Sequence, residues 1–358
     1  MREHGGAMKM KLNIQTELDP VFETMGLLYV SVRGDKYKRD MITELGEFGM
    51  DGEAFYNKHL KLVDKYIHSF VKGRQWDERA EFFFNDEDDV FFHLLHSILS
   101  ENARWLTAPE KIKGDDARLE ILKMLASDED IQKDLPKELS PENIKTLDQI
   151  VAFLDKCPFD VGVKWKLMAV LQHPRRYIQQ LVAVVHSNLP AFEQAKQDVQ
   201  KPLDKLILKY TGSVQKQQDD QFFKLVGMFT DEPEVHPSLI MPLAQVVFMR
   251  RCYYGLLVDF LPITRKTETA SPDMLLIKLK AMGDNSKLQI LASLKVSPKY
   301  NLEIAELLGL TAATMSHHMN VLLACGLVTV EKKNGKVYYH LDQDNIKQFL
   351  HELEQFLL

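Results

Sequence analysis

Cysteine is scarce in this 358-residue chain, and the three present, Cys157, Cys252 and Cys325, are scattered and odd in number. They argue against a disulfide framework and for a reducing cytosol. No run of about 18 apolar residues occurs, so no segment is suited to span a membrane. The opening MREHGGAMKMKLN has no apolar stretch of signal-peptide length, and its further methionines, Met8 and Met10, leave the start residue open. A phosphate-binding glycine loop, a nucleophile elbow and a Cys-x-x-Cys pair are all missing, which disfavours an enzyme.

What is present is ordinary core material. With 45% apolar and 27% charged residues, 358 residues predict two or three domains. The net charge of −6 is not that of a protein that coats nucleic acid. Between Asn285 and His340, however, six lysines face three acids, so the local sign reverses and favours site-specific contact by one face.

Residues 18–230 read mainly as helices, in segments such as FYNKHLKLVDKYIHSFV, DVFFHLLHSILSE and RRYIQQLVAVVHSNL, separated by Gly, Pro, Asp or Asn. From Val235, HPSLIMPLAQVVFMRRCYYGLLVDFLP turns to β-branched and aromatic residues and reads as one or two strands, although Ile240–Met249 also suits a buried helix. TRKTETASP, Thr264 to Pro272, is polar and has no apolar face, which makes it the best linker. Asp89, His93 and His96 lie at i, i+4 and i+7 and could bind zinc. The preferred reading is that Asp86 to Asp89 supply acids to a helix N-terminus while the histidines border the core. Arg175-Arg176 and Arg250-Arg251 could hold an anionic effector, but such pairs are more often solvated or matched by carboxylates.

One stretch carries function, Asn301 to Leu341. Asn301 suits an N-cap ahead of Ile304, Ala305, Leu307 and Leu308, and Gly309 can end that helix in the left-handed conformation. Thr311 then caps a second helix after a turn of about three residues, the helix-turn-helix spacing. Met315, Met319, Val321, Leu322 and Leu323 are apolar there. Thr311, Ala312, Ala313, Thr314, Ser316, His317, His318 and Asn320 are left to meet a major groove, with Thr314 and His317 discriminating bases and His318 touching the backbone. Gly326 ends this helix too, with Leu327 behind it. Val328 and Val330 alternate outward, Asn334-Gly335 signals a type I′ turn, and Val337, Tyr339 and Leu341 return. Lys332, Lys333 and Lys336 crowd the tip, where they can meet phosphates.

These residues carry a resemblance. LKAMGDNSKLQILASL, EIAELLGLTAATMSHHMNVLLACGLV and NGKVYYHL make the segment from about 272 to 358 similar to the winged-helix domain of the ArsR family of bacterial transcriptional repressors. The Ser-x-His, the Gly-Leu-Val exit and the Tyr-Tyr return strand are its specific marks. The resemblance covers about a quarter of the chain and implies a DNA-binding dimer whose helix from Thr311 reads the operator. It also implies that the flanking helices, through Leu275, Leu279, Phe349, Leu353 and Phe356, form the dimer interface. Many members respond to metals, but the cysteine pair of their first motif helix is absent here. Gln343, Asn345 and Phe356 stand where their other ligands would be, and His351 and Glu354 are out of register, so no metal or cofactor is expected.

The fold is therefore expected to be mainly α, with a large helical N-terminal domain carrying a short β segment (1–263), a linker (264–272) and an α+β winged helix-turn-helix (273–358). The leading function is a cytoplasmic, homodimeric regulator, a repressor, that binds double-stranded DNA at a palindromic operator. The N-terminal domain senses an unidentified small-molecule effector or adds dimer contacts. The alternative is a module whose winged helix docks a protein, for which Thr311 to Asn320, lacking Lys and Arg, leaves room. A third option is an enzyme in residues 1–270 under DNA control.

Overall fold

A computed structural model of the chain describes residues 11–47, 50–85, 90–126, 131, 135–216, 221–227, 230–248, 251–261, 272–309, 312–333 and 336–358. Asp86 to Asp89, Arg250 and linker residues 264–271 lie outside the described residues. The first helices are α1 (Pro20–Val30), α2 (Asp35–Glu47), α3 (Gly52–Phe55), a π-helical turn (Tyr56–Leu60), α4 (Lys61–Gly73), α5 (Glu78–Phe84) and α6 (Val90–Glu101). There follow α7 (Arg104–Thr107), α8 (Gly114–Ala126), α9 (Leu147–Lys156), α10 (Val161–Gln172), α11 (Pro174–Asp198), α12 (Gln200–Lys216) and α13 (Gln221–Gly227). After three strands come α14 (Pro272–Gly283), α15 (Asn285–Val296), α16 (Asn301–Leu308), α17 (Ala312–Ala324) and α18 (Gln343–Leu357).

Two compact units interleave along the chain. One comprises residues 20–33 and 66–198, and its elements among the described residues are all helices. Its central element is α11, whose buried face of Ile178, Leu181, Val182, Val185, Phe192 and Ala195 packs against α1, α5, α8 and α10. Periodicity suggests a break at Pro190, yet α11 runs through it and ends at Asp198. The break comes at Val199, and Pro202 lies in the first turn of α12, where its missing N–H would have had no partner. Two of the buried polar side chains in this core are paired. The buried Asn188 accepts from the Gln75 N–H at 2.7 Å and donates to the Gln75 carbonyl at 3.0 Å, and the Tyr66 hydroxyl donates to the buried Glu23 at 3.0 Å.

The other unit comprises residues 1–19, 34–65 and 199–358. It contains a four-stranded sheet in the order β1-β2-β4-β3, from β1 (Asn13–Ile14), β2 (Glu234–Ser238), β3 (Gln245–Phe248) and β4 (Arg251–Gly255). β1 and β2, and β2 and β4, run parallel, while β3 is antiparallel to β4. The expected one or two strands are thus three, joined by a fourth from the N-terminal segment, and the helical alternative for Ile240–Met249 falls because Gln245–Phe248 is strand β3. Non-local pairing of this kind leaves no period in the sequence.

Arg251 lies 3.3 Å from the Asp19 carboxylate and 3.5 Å from that of Glu234. It is therefore not available as half of an anion pocket. Likewise His93 is exposed whereas His96 is buried between Phe22 at 4.5 Å and Phe92 at 6.1 Å, as core-bordering residues are. No helix among the described residues is long and apolar enough to cross a membrane.

Candidate nucleic-acid interface

In the last part of the chain, α14 to α18 surround one apolar core. Ile277, Ile290, Leu294, Ile304, Met315, Met319, Leu322, Leu327 and Val328 are all buried there. The Asp284 carboxylate caps α15 by accepting from the Lys287 N–H at 2.9 Å. At α16 the cap falls one residue before the expected Asn301: the Tyr300 N–H donates to the Glu303 carboxylate at 3.1 Å, and the helix starts at Asn301.

The ends of the two motif helices follow from glycine chemistry. Gly309 takes φ +64° and Gly326 φ +67°, the left-handed region that costs residues with a Cβ about 1–2 kcal/mol. Behind Gly326 the Leu327 N–H donates to Leu322 O at 3.0 Å and the Gly326 N–H to Leu323 O at 2.9 Å. Together these two bonds form a full Schellman stop, with Leu327 buried beneath the helix.

In α17, Met315, Met319, Val321 and Leu322 turn inward and are buried. By helical period, positions 313, 316, 317 and 320 share the opposite side. Thr311, and the side chains of Ala312, Ala313, Thr314, Ser316, His317 and Asn320, lie outside the described residues. His318 is half-buried, with Nδ1 shielded from solvent. Burial pushes the Asp284 carboxyl up, but the Lys287 N–H, the Lys287 ammonium and the His318 imidazole outweigh it and hold the group below its usual value.

The hairpin consists of β6 (Val328–Lys333) and β7 (Lys336–Leu341), paired from Val328↔Leu341 to Lys333↔Lys336. That register leaves two residues, Asn334 and Gly335, to connect the strands; both lie outside the described residues, as do the side chains of Lys332, Lys333 and Lys336. A third strand, β5 (Lys299–Tyr300), pairs with β7 and was not legible in the sequence, since two residues carry no alternation. Tyr339 and Leu341 pack on the core, and His340 lies 3.1 Å from the Glu331 carboxylate.

The terminal helices divide the five expected dimer residues. Leu275 is 3% and Phe349 1% exposed, both covered by the chain's own packing of α14 on α18, where Lys278 meets Glu352 at 3.9 Å and stands 5.5 Å over the Phe349 ring. A side chain already covered within one protomer has no surface left for another, so these two drop out of the expected interface. Leu279 and Phe356 stay exposed, together with Leu276, Leu350 and Leu357, and Leu353 is half-buried.

Cys325 is buried, and burial pushes its thiol up to about 12 despite the nearby Lys278 and Lys287 ammonium groups, so it offers no thiolate at neutral pH. Among the described residues no group of three or more His, Cys, Asp or Glu could hold a metal.

The family of bacterial regulatory proteins described as arsR matches residues 284–330, the span from the cap of α15 to the middle of β6. A Staphylococcus aureus "Cadmium resistance transcriptional regulatory protein CadC homolog" is 31% identical over 81 residues, 21% of this chain and 67% of that protein. The "HTH-type transcriptional regulator CmtR" of Mycobacterium tuberculosis is 33% identical over 79 residues, 22% of this chain and 67% of the relative. The "Arsenical resistance operon repressor" of Bacillus subtilis is 30% identical over 76 residues, 21% and 72% respectively. No solved structure matches the chain.

Proposed function

We propose, from the premise that this chain belongs to the ArsR family of bacterial regulatory proteins, that it is a DNA-binding transcriptional regulator, a repressor, which reads a palindromic operator as a homodimer. The observation that carries the reading is the coincidence of the family match with the two helices and paired strands of a helix-turn-helix and wing, α16, Gly309, α17 and the β6–β7 pair. In this reading α17 enters the major groove. Two copies related by a two-fold axis present their α17 helices about 34 Å apart, so the operator is palindromic. Lys332, Lys333 and Lys336 neutralise phosphates beside it. Ala312 and Ala313 let the backbone approach, Ser316 bonds a phosphate or base edge, and Thr314 and His317 discriminate bases with Asn320. Residues 273–358 act as the DNA-binding domain and residues 1–263 as a cytoplasmic sensor or dimerisation domain, with no catalytic step assigned. Two of the relatives are named for cadmium and arsenical resistance, but α16 here reads NLEIAELL without a thiol, and His351 and Glu354 stand exposed. Metal sensing at those positions is accordingly not part of the reading.

A protein-docking winged helix is the second reading, favoured by one observation: Thr311 to Asn320 contains no Lys or Arg, the usual guanine readers. Binding-site selection from random duplexes separates the two. The regulator should enrich a palindrome, and His317→Ala should relax one base position per half-site, at the low end of about 1–3 kcal/mol, while leaving non-specific binding intact. Enrichment of no palindrome by the wild-type protein would leave the docking module standing.

A further inference from the structure

The wing has an unusual neighbour. β6 is the outer strand of its sheet, in the order β5-β7-β6, and an outer strand has a row of backbone groups without strand partners. In this chain α13 lies against β6. That helix is itself held by aromatic packing: Phe222 and Phe223 are buried, with ring centroids 6.0 Å and 6.5 Å from Tyr254, the first edge-on at 72° and the second nearly parallel at 8°. Tyr254 belongs to β4, is 1% exposed, meets Tyr210 of α12 at 5.7 Å and donates its hydroxyl to Asp259 at 2.8 Å. The aromatic packing thus ties α13 to Tyr254 of the β2–β4 sheet, and the helix so held lies beside β6 of the wing.

We propose that α13 is a strut by which the region before the winged helix fixes the position of the wing, so that a change at the β2–β4 sheet is felt as a change in DNA affinity. The affinity part rests on the winged helix being the DNA-contacting element. The mechanical part does not. A hairpin held by α13 is ordered before it meets DNA, whereas a freed hairpin must be ordered on binding, and that entropy weakens the complex. The lysines of the tip are untouched by the strut, so the number of phosphates they neutralise, and with it the salt slope, stays the same.

The test uses the full chain with Phe222→Ala, and Phe222→Leu as a milder change that keeps most of the side-chain volume. Amide hydrogen exchange is followed without DNA, and operator affinity is measured as a function of salt. The strut predicts at least tenfold faster exchange over β6 in Phe222→Ala, a smaller rise in Phe222→Leu, and unchanged protection in β4 and α17. It also predicts operator binding roughly five- to tenfold weaker, with the same salt slope. Faster exchange in α13 with β6 unchanged would overturn the proposal. So would β6 loosening with no loss of affinity in a protein whose wild type binds the operator. If Phe222→Ala also loosens β4, the decision falls to Phe222→Leu. A wild type that binds no operator would refute the DNA reading while the exchange result still decided the strut.

Discussion

Phe356 offers the sharpest test of the proposed homodimer. It is 61% exposed near the end of α18, beside Leu350 at 53% and Leu357 at 68%, with Leu276 at 46% and Leu279 at 42% on α14. A phenylalanine side chain offers roughly 200 Å² of surface, so folding leaves about 120 Å² of this ring in water. At about 25 cal/mol per Å², covering it contributes about 3 kcal/mol per copy, and in an isologous interface the ring counts twice. Phe356→Ala keeps one methyl and so removes about 4 kcal/mol as an upper figure, since interfaces return only part of their buried area as affinity. The dimer dissociation constant should rise by at least about thirtyfold and at most about a thousandfold. The folded protomer should be as stable as before, because the position is exposed and alanine is the better helix former. A sedimentation-velocity concentration series reads the first quantity and a thermal melt the second. A dimer constant within about threefold of wild type would show that the copies do not meet through α18. Phe349→Ala makes the contrast: at 1% exposure it belongs to the protomer's packing, and its removal should cost about 3–5 kcal/mol of stability instead of dissociating a dimer.

Replacing Lys332, Lys333 and Lys336 together by alanine should weaken binding to all DNA sequences alike and flatten the salt dependence by about one unit for each phosphate no longer neutralised; a wild-type slope would rule out the wing as a phosphate clamp. Gly326→Ala places a Cβ at φ +67°, so the melt should show a loss of about 1–2 kcal/mol, and an unchanged melting temperature would contradict the left-handed stop. His236 is pushed below its usual 6.5, first by burial and then by Arg251, against the opposing pull of Asp19 and Glu234. Its neutral form is thus favoured by the fold, and its contribution to stability is present above about pH 6.5 and lost as pH falls below that value. Denaturant titrations from about pH 7.5 to about pH 5 should show a steeper loss for wild type than for His236→Gln, and parallel profiles would refute the assignment.

The sequence alone settled what short-range chemistry settles. Gly309 and Gly326 stop helices because only glycine enters the left-handed region cheaply, and the strand register around Asn334-Gly335 follows from the alternation of Val328, Val330, Tyr339 and Leu341. These features lie within a few residues of one another, so period and turn type fix them, and with them the winged helix and its family. Other features were decided by residues distant in sequence. Asn13–Ile14 becomes a strand only because Glu234 and Val235 arrive beside it, and which carboxylates match Arg251, Asp19 and Glu234, is set by the same sheet. Pro190 fails to break α11. Apolar period marks a face but not its occupant, which is why Phe349 and Phe356, on one stripe, part company: α14 covers the first and leaves the second to solvent. The packing of α13 on β6 belongs to this second kind, because nothing local in QFFKLVG names the strand it will meet.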